Sequence, residues 1–355
     1  MLSVTPLVSV VTPTFNAGRY LTESIESVLG QDYPNIEYLL VDSYSTDDTQ
    51  RILRNYEGRL RTIATPRLGP ASAIHTGLTL ARGSVLAWLN ADDRYAPEAV
   101  RSALAVFQDH PEVDIVYGDA DWIDEWGDVI RPYPTSPFSA DILSRDCLIS
   151  QPAAFFRTSA YKKCALDASL PVSFDYDLWI RMSALGCRFE YLPQRLACSR
   201  MHRQCLSFAR RREVFEVSMD LLKRHYGYVP LSWIFGYLSY RWDGRDQFFE
   251  PLRFSKLIFT ASVLLGIVWN RSNPVEAFRD IAGTAGRGLR RKLSRGFDQI
   301  RQLLSPDTAA EFAVRRKAEN VKSHAVEPEA EIDSVEPVIT EGTEPLPERQ
   351  LSQTV

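Results

Sequence analysis

A short apolar strand that ends in neighbouring carboxylates constrains this chain most. Residues 85–89 are apolar and long enough for a buried strand, and Asn90, Asp92 and Asp93 follow directly. Ligands of an open α/β sheet bind at the carboxyl ends of its strands. Adjacent carboxylates repel each other and are costly to remove from water, so a cationic partner is expected. A divalent metal ion is the leading candidate.

Apolar runs alternate with segments of helical period up to residue 117. The predicted strands are 8–12, 36–41, 60–64, 84–89 and 114–117, and the predicted helices are 19–29, 47–56, 71–81 and 97–109. This alternation indicates an α/β fold with a mostly parallel sheet between helices. Polar clusters at 12–16, 42–47, 90–93 and 118–121 follow four strands and should meet at one edge of the sheet. Each cluster alone is explained as a helix cap, but their joint placement with a carboxylate pair is not.

The pattern changes beyond residue 122. Residues 131–138 are rich in proline and aromatic side chains, which excludes regular helix and central strand and predicts a connecting or acceptor-binding loop. Residues 174–185 have helical spacing, with Asp175 at the start, where a helix amino terminus favours a carboxylate. We therefore predict two halves of a catalytic domain, 1–121 and 122–225.

The last 130 residues form two further regions. Residues 226–305 include an uncharged run at 257–269, which is shorter than the roughly twenty residues that a bilayer requires. Basic residues flank this run, so it is either an interfacial anchor on anionic lipid or a buried hairpin packed on the catalytic domain. Residues 306–355 hold eleven acidic and five basic side chains and are predicted to be disordered.

The amino-terminal residues and the cysteines predict a cytoplasmic protein. The first residues lack a basic region and a small-residue cleavage site, so no signal peptide is predicted. The five cysteines are an odd set confined to 147–205, which argues against a disulfide framework and fits a reducing compartment. Cys187, Cys198, His202 and Cys205 form a conceivable zinc site, although no CxxC pair anchors it, and reduced thiols are the alternative.

Four motifs resemble the family 2 glycosyltransferases of the GT-A fold. They are Val8-Ser9-Val10-Val11-Thr12-Pro13-Thr14-Phe15-Asn16, Leu40-Val41-Asp42-Ser43-Tyr44-Ser45-Thr46-Asp47, Leu89-Asn90-Ala91-Asp92-Asp93 and Asp175-Tyr176-Asp177-Leu178-Trp179-Ile180-Arg181. The resemblance covers roughly residues 7–225 and implies a Rossmann-like, mostly parallel sheet. It also implies an inverting enzyme that moves a sugar from a nucleotide-diphosphate donor, UDP favoured, to a hydroxyl of a glycan or lipid-linked acceptor in surface polysaccharide biosynthesis.

The resemblance implies a role for each matching residue. Nucleotide-sugar binding is implied for Thr12, Pro13, Thr14, Asn16, Asp42, Ser45, Asn90 and Asp92. Asp92, Asp93 and His202 are implied ligands of Mn²⁺ or Mg²⁺, and Asp175 is the implied catalytic base, with Asp177 as a second candidate that should instead pair with Arg181. A pattern of Arg200, His202 and Ser207 resembles a segment that closes over the diphosphate. Ser43 replaces an acid that helps relatives to recognise uracil, so nucleotide identity is less defined than nucleotide binding.

Other classes of protein fit the sequence less well. The sequence lacks the pyrophosphate-binding loop that is typical of a hydride-transfer enzyme, because no Gly-x-Gly-x-x-Gly follows the first strand. A glycoside hydrolase needs carboxylates that flank a sugar from different elements, whereas Asp92 and Asp93 are adjacent. A catalytically inactive, glycosyltransferase-like subunit that binds nucleotide or a partner remains an alternative. The expected partners are a nucleotide sugar, the acceptor and the anionic inner face of the plasma membrane, and no nucleic acid.

Overall fold

The structure is a computed structural model that describes residues 5–244 and 255–283. Over these residues, the centre of the fold is a mixed, nine-stranded sheet. Its strands are β1 (Val8–Thr14), β2 (Ile36–Asp42), β3 (Arg61–Ala64), β4 (Val85–Trp88), β5 (Arg94–Tyr95), β6 (Ile115–Ile123), β7 (Val129–Pro132), β8 (Ala154–Arg157) and β9 (Phe189–Arg200). The predicted tail at 306–355 lies outside the described residues.

The strand order is β3-β2-β1-β4-β8-β6-β9-β5, with β7 paired to the side of β6. The strands β3, β2, β1 and β4 are parallel, as the alternation predicts. Strand β8 then enters antiparallel between β4 and β6, while β6 and β9 are parallel to each other. The carboxyl ends of β1, β2 and β4 therefore share one edge, and the long strand β9 crosses toward that edge.

Helices cover both faces of the sheet. They are α1 (Leu21–Leu29), α2 (Thr49–Arg54), α3 (Pro70–Leu80), α4 (Ala99–Asp109), α5 (Ala140–Leu143), α6 (Thr158–Lys163), α7 (Phe174–Ala184), α8 (Leu206–Ala209), α9 (Arg211–Tyr226), α10 (Leu231–Asp243) and α11 (Lys256–Trp269). Residues 274–283 are also helical. Apolar residues of α1, α2 and α4 form one buried core, and those of α3, α6 and α7 form another.

One polar cluster does not lie where the sequence predicts. The strand predicted at 114–117 continues to Ile123, so residues 118–121 lie inside β6 rather than at its end. Asp119 accepts a hydrogen bond from the Tyr191 hydroxyl at 2.6 Å, and Asp121 pairs with Arg195 at 2.7 Å. These carboxylates stabilise the β6–β9 pair and do not join the cluster at the sheet edge.

Helix α10 and the helical residues 274–283 pack on residues 122–225, and α11 packs on α10 through Gly266. The Trp233 ring stacks on Tyr176 of α7 at 6.2 Å, and the Arg145 guanidinium pairs with the buried Asp280 at 2.7 Å. The described residues accordingly belong to one compact unit. No helix within the described ranges is long and apolar enough to cross a bilayer.

Candidate active site

Hydrogen bonds join the loops that follow β1 and β2. The backbone N–H of Asn16 donates to Ser45 Oγ at 2.8 Å, and the Thr46 N–H donates to Asn16 Oδ1 at 2.8 Å. Asn16 has a φ of 51°, a left-handed conformation that asparagine tolerates better than most residues. The two loops therefore act as one preorganised unit at the edge of the sheet.

Asp42, at the end of β2, forms hydrogen bonds that hold the second of these loops in place. Its carboxylate accepts from Ser45 Oγ at 2.6 Å, from the Ser45 N–H at 3.1 Å and from Gln50 Nε2 at 2.5 Å. A carboxylate offers about four acceptor positions, so roughly one is left for a ligand. Asp42 is 2% exposed, and its hydrogen bonds to Ser45 and Gln50 order the loop that follows β2.

Two residues predicted to bind the nucleotide are enclosed in the sheet. Thr12 has no exposed surface, and its hydroxyl lies 3.0 Å from the Tyr38 hydroxyl. Thr14 is 3% exposed, and its hydroxyl donates to the Val41 carbonyl at 3.4 Å. Both hydroxyls are used inside the fold, so the predicted nucleotide contacts of Thr12 and Thr14 stay a prediction that falls to their backbone atoms. Pro13 remains half-buried and Asn16 is exposed, so their predicted contacts remain open.

The same edge presents aromatic side chains that the sequence analysis did not select. Phe15 is 36% exposed, and the Arg67 guanidinium carbon lies 3.8 Å from its ring centroid. Tyr44 is 62% exposed and has a φ of 58°. Exposed aromatic faces are platforms on which nucleotide bases stack. The available signal was an aromatic residue inside each of the two polar loops.

Asp92 and His202 meet where the ends of β4 and β9 approach each other. His202 Nε2 lies 3.0 Å from Asp92 Oδ2, and their side chains are 11% and 26% exposed. A carboxylate oxygen and an imidazole nitrogen suit Mn²⁺, and a carboxylate suits Mg²⁺. The pair fits a cation that takes its other ligands from water and substrate phosphate. The described residues contain no group of three His, Cys, Asp or Glu arranged to hold a metal, for zinc or otherwise.

Asp93 is turned into the protein. It is 3% exposed, and its oxygens accept from the Arg200 backbone N–H at 2.8 Å and from Asn90 Nδ2 at 2.9 Å. Burial, followed by the neighbouring Asp92 charge, raises the pKa of Asp93. Both Asp93 oxygens bind the protein, which favours Asp92 over Asp93 as the metal ligand, and the role of Asp93 as a ligand stays a prediction. Asn90 also donates to Gln151 Oε1 at 3.1 Å, so its amide group supports the site from inside.

Arg200 holds the backbone around Asp92. Its Nε donates to the Asp92 carbonyl at 2.9 Å, and its Nη1 donates to the Asp124 carbonyl at 3.1 Å. Its Nη2 pairs with Glu23, and its guanidinium carbon lies 4.7 Å from the Tyr20 ring centroid. The side chain is 1% exposed. Arg200 therefore does not face a diphosphate as the resemblance implies, but fixes the loop that presents Asp92.

Asp175 occupies the first turn of α7. The preceding Ser173 has a left-handed φ of 55°, which turns the chain sharply into the helix. Burial raises the pKa of Asp175, although backbone N–H groups of Asp175 and Tyr176 oppose the shift. Burial, with a smaller contribution from the Asp175 charge, also raises the pKa values of Tyr133 and Cys147. The Asp175 charge therefore acts on Tyr133, which belongs to the predicted acceptor loop.

Packing of two tryptophans joins α7 to β4. Trp88 at the end of β4 stacks on Trp179 of α7, with ring centroids 5.8 Å apart and planes 12° from parallel. Asp92 is four residues beyond Trp88, and Asp175 is four residues before Trp179. The stack therefore ties the end of β4, which Asp92 follows, to the helix whose first turn carries Asp175.

Asp177 has a structural role. Arg181 Nε donates to its Oδ2 at 2.6 Å, which confirms the predicted pairing one turn apart. His225 Nε2 lies 3.1 Å from Oδ1, and Asp177 is 2% exposed. With both oxygens engaged, Asp177 is a poorer candidate base than Asp175.

Comparison with known proteins identifies relatives of this chain. Residues 9–165 match the family model of glycosyl transferase family 2. An uncharacterized glycosyltransferase of Rickettsia conorii is 29% identical over 191 residues, which cover 50% of this chain and 31% of the relative. The chain thus spans about a third of the length of such curated relatives.

Solved structures share the fold. TarS residues 1–349 of S. aureus, crystallised with UDP-GlcNAc, align with a TM-score of 0.54 at 18% identity, covering 79% of this chain and 92% of that TarS fragment. The mannosyltransferase PcManGT of Pyrobaculum calidifontis, in complex with GDP-Man and Mn²⁺, aligns with a TM-score of 0.51 at 17% identity, covering 81% of each chain. At these identities the likeness establishes a common GT-A architecture.

Proposed function

Since the chain belongs to glycosyl transferase family 2, we propose that it moves a sugar from a nucleotide-diphosphate donor to a hydroxyl group of a glycan or lipid-linked acceptor, with inversion at the anomeric carbon. In this proposal the acceptor is an intermediate of surface polysaccharide biosynthesis, and the reaction takes place in the cytoplasm. The observation that carries this proposal is the contact of Asp92 with His202 beside the preorganised loops of Asn16 and Asp42.

The donor nucleotide lies over the carboxyl ends of β1 and β2 in this proposal. Pro13, Asn16, Asp42 and Ser45 shape the seat for base and ribose, and UDP is the favoured nucleotide. The exposed rings of Phe15 and Tyr44 support base stacking, and Arg67 adds positive charge beside Phe15.

The diphosphate lies beside Asp92 and His202. These two side chains would hold Mn²⁺ or Mg²⁺, which when bound neutralises negative charge on the departing nucleoside diphosphate. Arg200 keeps the Asp92 backbone in place from inside the protein. Asp93 contributes by tying the end of β4 to β9, because it accepts the Arg200 N–H.

Asp175 acts as the base. Its carboxylate takes the proton of the acceptor hydroxyl while that oxygen forms a bond to the anomeric carbon. The bond from the anomeric carbon to the diphosphate oxygen breaks on the opposite face, and its electron pair leaves with the nucleoside diphosphate. A raised pKa makes Asp175 a better proton acceptor than an ordinary aspartate.

The alternative is an inactive subunit that binds nucleotide without turnover. Both proposals include the nucleotide seat, but only the transferase requires Asp175. Incubation of the purified protein with a panel of UDP and GDP sugars, with release of nucleoside diphosphate as the readout, separates them.

The transferase proposal expects release from at least one donor, and Asp175→Asn should lower that rate by about 10²- to 10⁴-fold. Asp167→Asn, which changes a carboxylate outside the site, is the matched control and should retain the rate. If no donor is turned over in the presence of Mn²⁺ and acceptor glycans, or if Asp175→Asn is fully active, the catalytic proposal is wrong.

A further inference from the structure

Helix α11 is anchored to the protein along one face. Ile258, Ser262, Gly266 and Asn270, which lie four residues apart, are buried. A side chain at Gly266 would approach Ile234 of α10 at 3.5 Å, so the two helices pack closely there. Asn270 both accepts from the Val229 N–H at 2.7 Å and donates to the Val229 carbonyl at 2.9 Å. The orientation of α11 is therefore fixed.

The opposite face of α11 is apolar and open to solvent. Leu257, Leu264, Ile267 and Val268 are 62%, 60%, 56% and 61% exposed. Their spacing places them on one side of the helix. A surface helix that buries only one face normally carries polar side chains on the other, yet residues 257–269 include no charge. In the helical residues 274–283 that follow, Val275 and Phe278 are likewise 61% and 73% exposed.

Basic side chains border this apolar face. Lys256 and Arg271 lie at the two ends of α11, and Arg279 lies beside Phe278; all three are exposed. The sequence of residues 226–305 contains twelve basic and six acidic side chains, of which four basic and three acidic lie in the described ranges, where Arg279 pairs with Glu276. Apolar side chains bordered by cations match the boundary between acyl chains and anionic headgroups. Fourteen residues give a helix about 21 Å long, which suits a helix lying in that boundary rather than across the bilayer.

We propose that the exposed face of α11, with Val275 and Phe278, docks on an anionic membrane surface. This inference goes beyond sugar transfer and requires no nucleotide, metal or acceptor. It also reconciles the two alternatives for residues 226–305, because one face of the hairpin packs on the protein and the other binds lipid.

The test is cosedimentation of the full chain with vesicles of phosphatidylcholine alone or with added phosphatidylglycerol. The double variant Leu264→Asp and Val268→Asp changes two exposed side chains that face away from α10. Its matched control is Leu185→Asp with Val129→Asp, which adds the same charge at exposed apolar sites elsewhere.

The proposal expects the wild-type chain and the control to bind the anionic vesicles at least tenfold more strongly than the neutral ones. It expects the α11 variant to lose that binding at least tenfold while retaining the wild-type unfolding temperature. Equal binding by the α11 variant, no binding by the wild-type chain, or no preference for anionic lipid would overturn it. A lipid-free dimer that the α11 variant dissociates would assign this face to a second copy instead. Because no donor is present, the outcome is independent of whether the transferase proposal holds.

Discussion

Asp175 and Asp177 lie two residues apart in α7, but their surroundings give them different chemistry. Asp177 is bound by Arg181 and His225, whereas among the described contacts Asp175 has only backbone N–H groups at the helix start to stabilise its charge. Burial accordingly raises the pKa of Asp175. A single turn of helix thus separates a structural ion pair from a carboxylate suited to accept a proton.

The pH dependence of the reaction should report this raised pKa. A base works only when it is deprotonated, so kcat/KM for sugar transfer should rise with pH through the pKa of Asp175 and then level off. The rise should be centred above the usual aspartate pKa of about 4. Initial rates measured from pH 4 to 8 with saturating metal provide the test. A rate that falls or stays constant as pH rises across this range contradicts the assignment.

The stability of the fold should change in opposite directions when the two aspartates are replaced. A carboxyl whose folded pKa is raised destabilises the folded state above its unfolded pKa, because the unfolded chain then releases its proton more readily. At pH 7 Asp175→Asn should therefore maintain or increase the free energy of unfolding. Asp177→Asn should lower it by about 2 kcal/mol, because it weakens buried contacts to charged groups. Urea denaturation of both variants measures the difference, and a destabilised Asp175→Asn protein would disagree with it.

At the scale of elements, the sequence predicts the strands and helices of the first hundred residues closely. Strong apolar periodicity and clear turns define β1, β2, α3 and β4 locally. The end of β6 is different, because its polar residues 118–121 resemble a loop but pair with β9, more than sixty residues later. The enclosure of Thr12 and Asp93 likewise depends on Tyr38 and Arg200, which no local pattern connects to them. Motif order predicts the site's location, and tertiary contacts decide which side chains face it.

Helix α3 lies unusually close to the sheet. A methyl group at Gly77 would stand 2.4 Å from Val11 Cγ1 and 2.9 Å from Val41 Cγ2. Gly77→Ala should therefore lower the free energy of unfolding by about 1–3 kcal/mol through overpacking, despite the better helix propensity of alanine. Thr79→Ala, at an exposed position of the same helix, is the control and should be neutral within about 0.5 kcal/mol. Thermal unfolding compares them, and a stabilised Gly77→Ala protein would refute the close packing.

At the scale of the whole molecule, α10 and the helical residues 274–283 pack on residues 122–225 although the motifs end before them. Asp280 pairs with Arg145 and also accepts from the Leu231 N–H at 2.6 Å, which is the start of α10. The division predicted at residue 225 therefore marks a change of composition, while packing continues across it. We expect the described part of the chain to unfold in one cooperative transition.

Replacement of Asp280 tests this continuity. Asp280→Ala should lower the free energy of unfolding by about 3 kcal/mol, because it leaves Arg145 and the α10 amino terminus without a buried partner. Asp141→Ala removes an exposed partner of the same arginine, 3.3 Å away, and should cost less than about 1 kcal/mol. Guanidinium denaturation of both variants gives the comparison. If the two substitutions lower the free energy of unfolding equally, or if the wild-type protein shows a separate unfolding transition for its last described helices, those helices fold independently of the rest.

The most direct measurement of the central claim is calorimetric titration of UDP with and without Mn²⁺. The claim is that Asp92 and His202 hold the metal-bound diphosphate while Asp175 serves only the acceptor. Wild-type protein and Asp175→Asn should therefore bind UDP more tightly with Mn²⁺ than without it, and Asp92→Asn should bind UDP with no response to Mn²⁺. If Asp92→Asn retains the full response to Mn²⁺, or Asp175→Asn loses it, the account of this site is wrong.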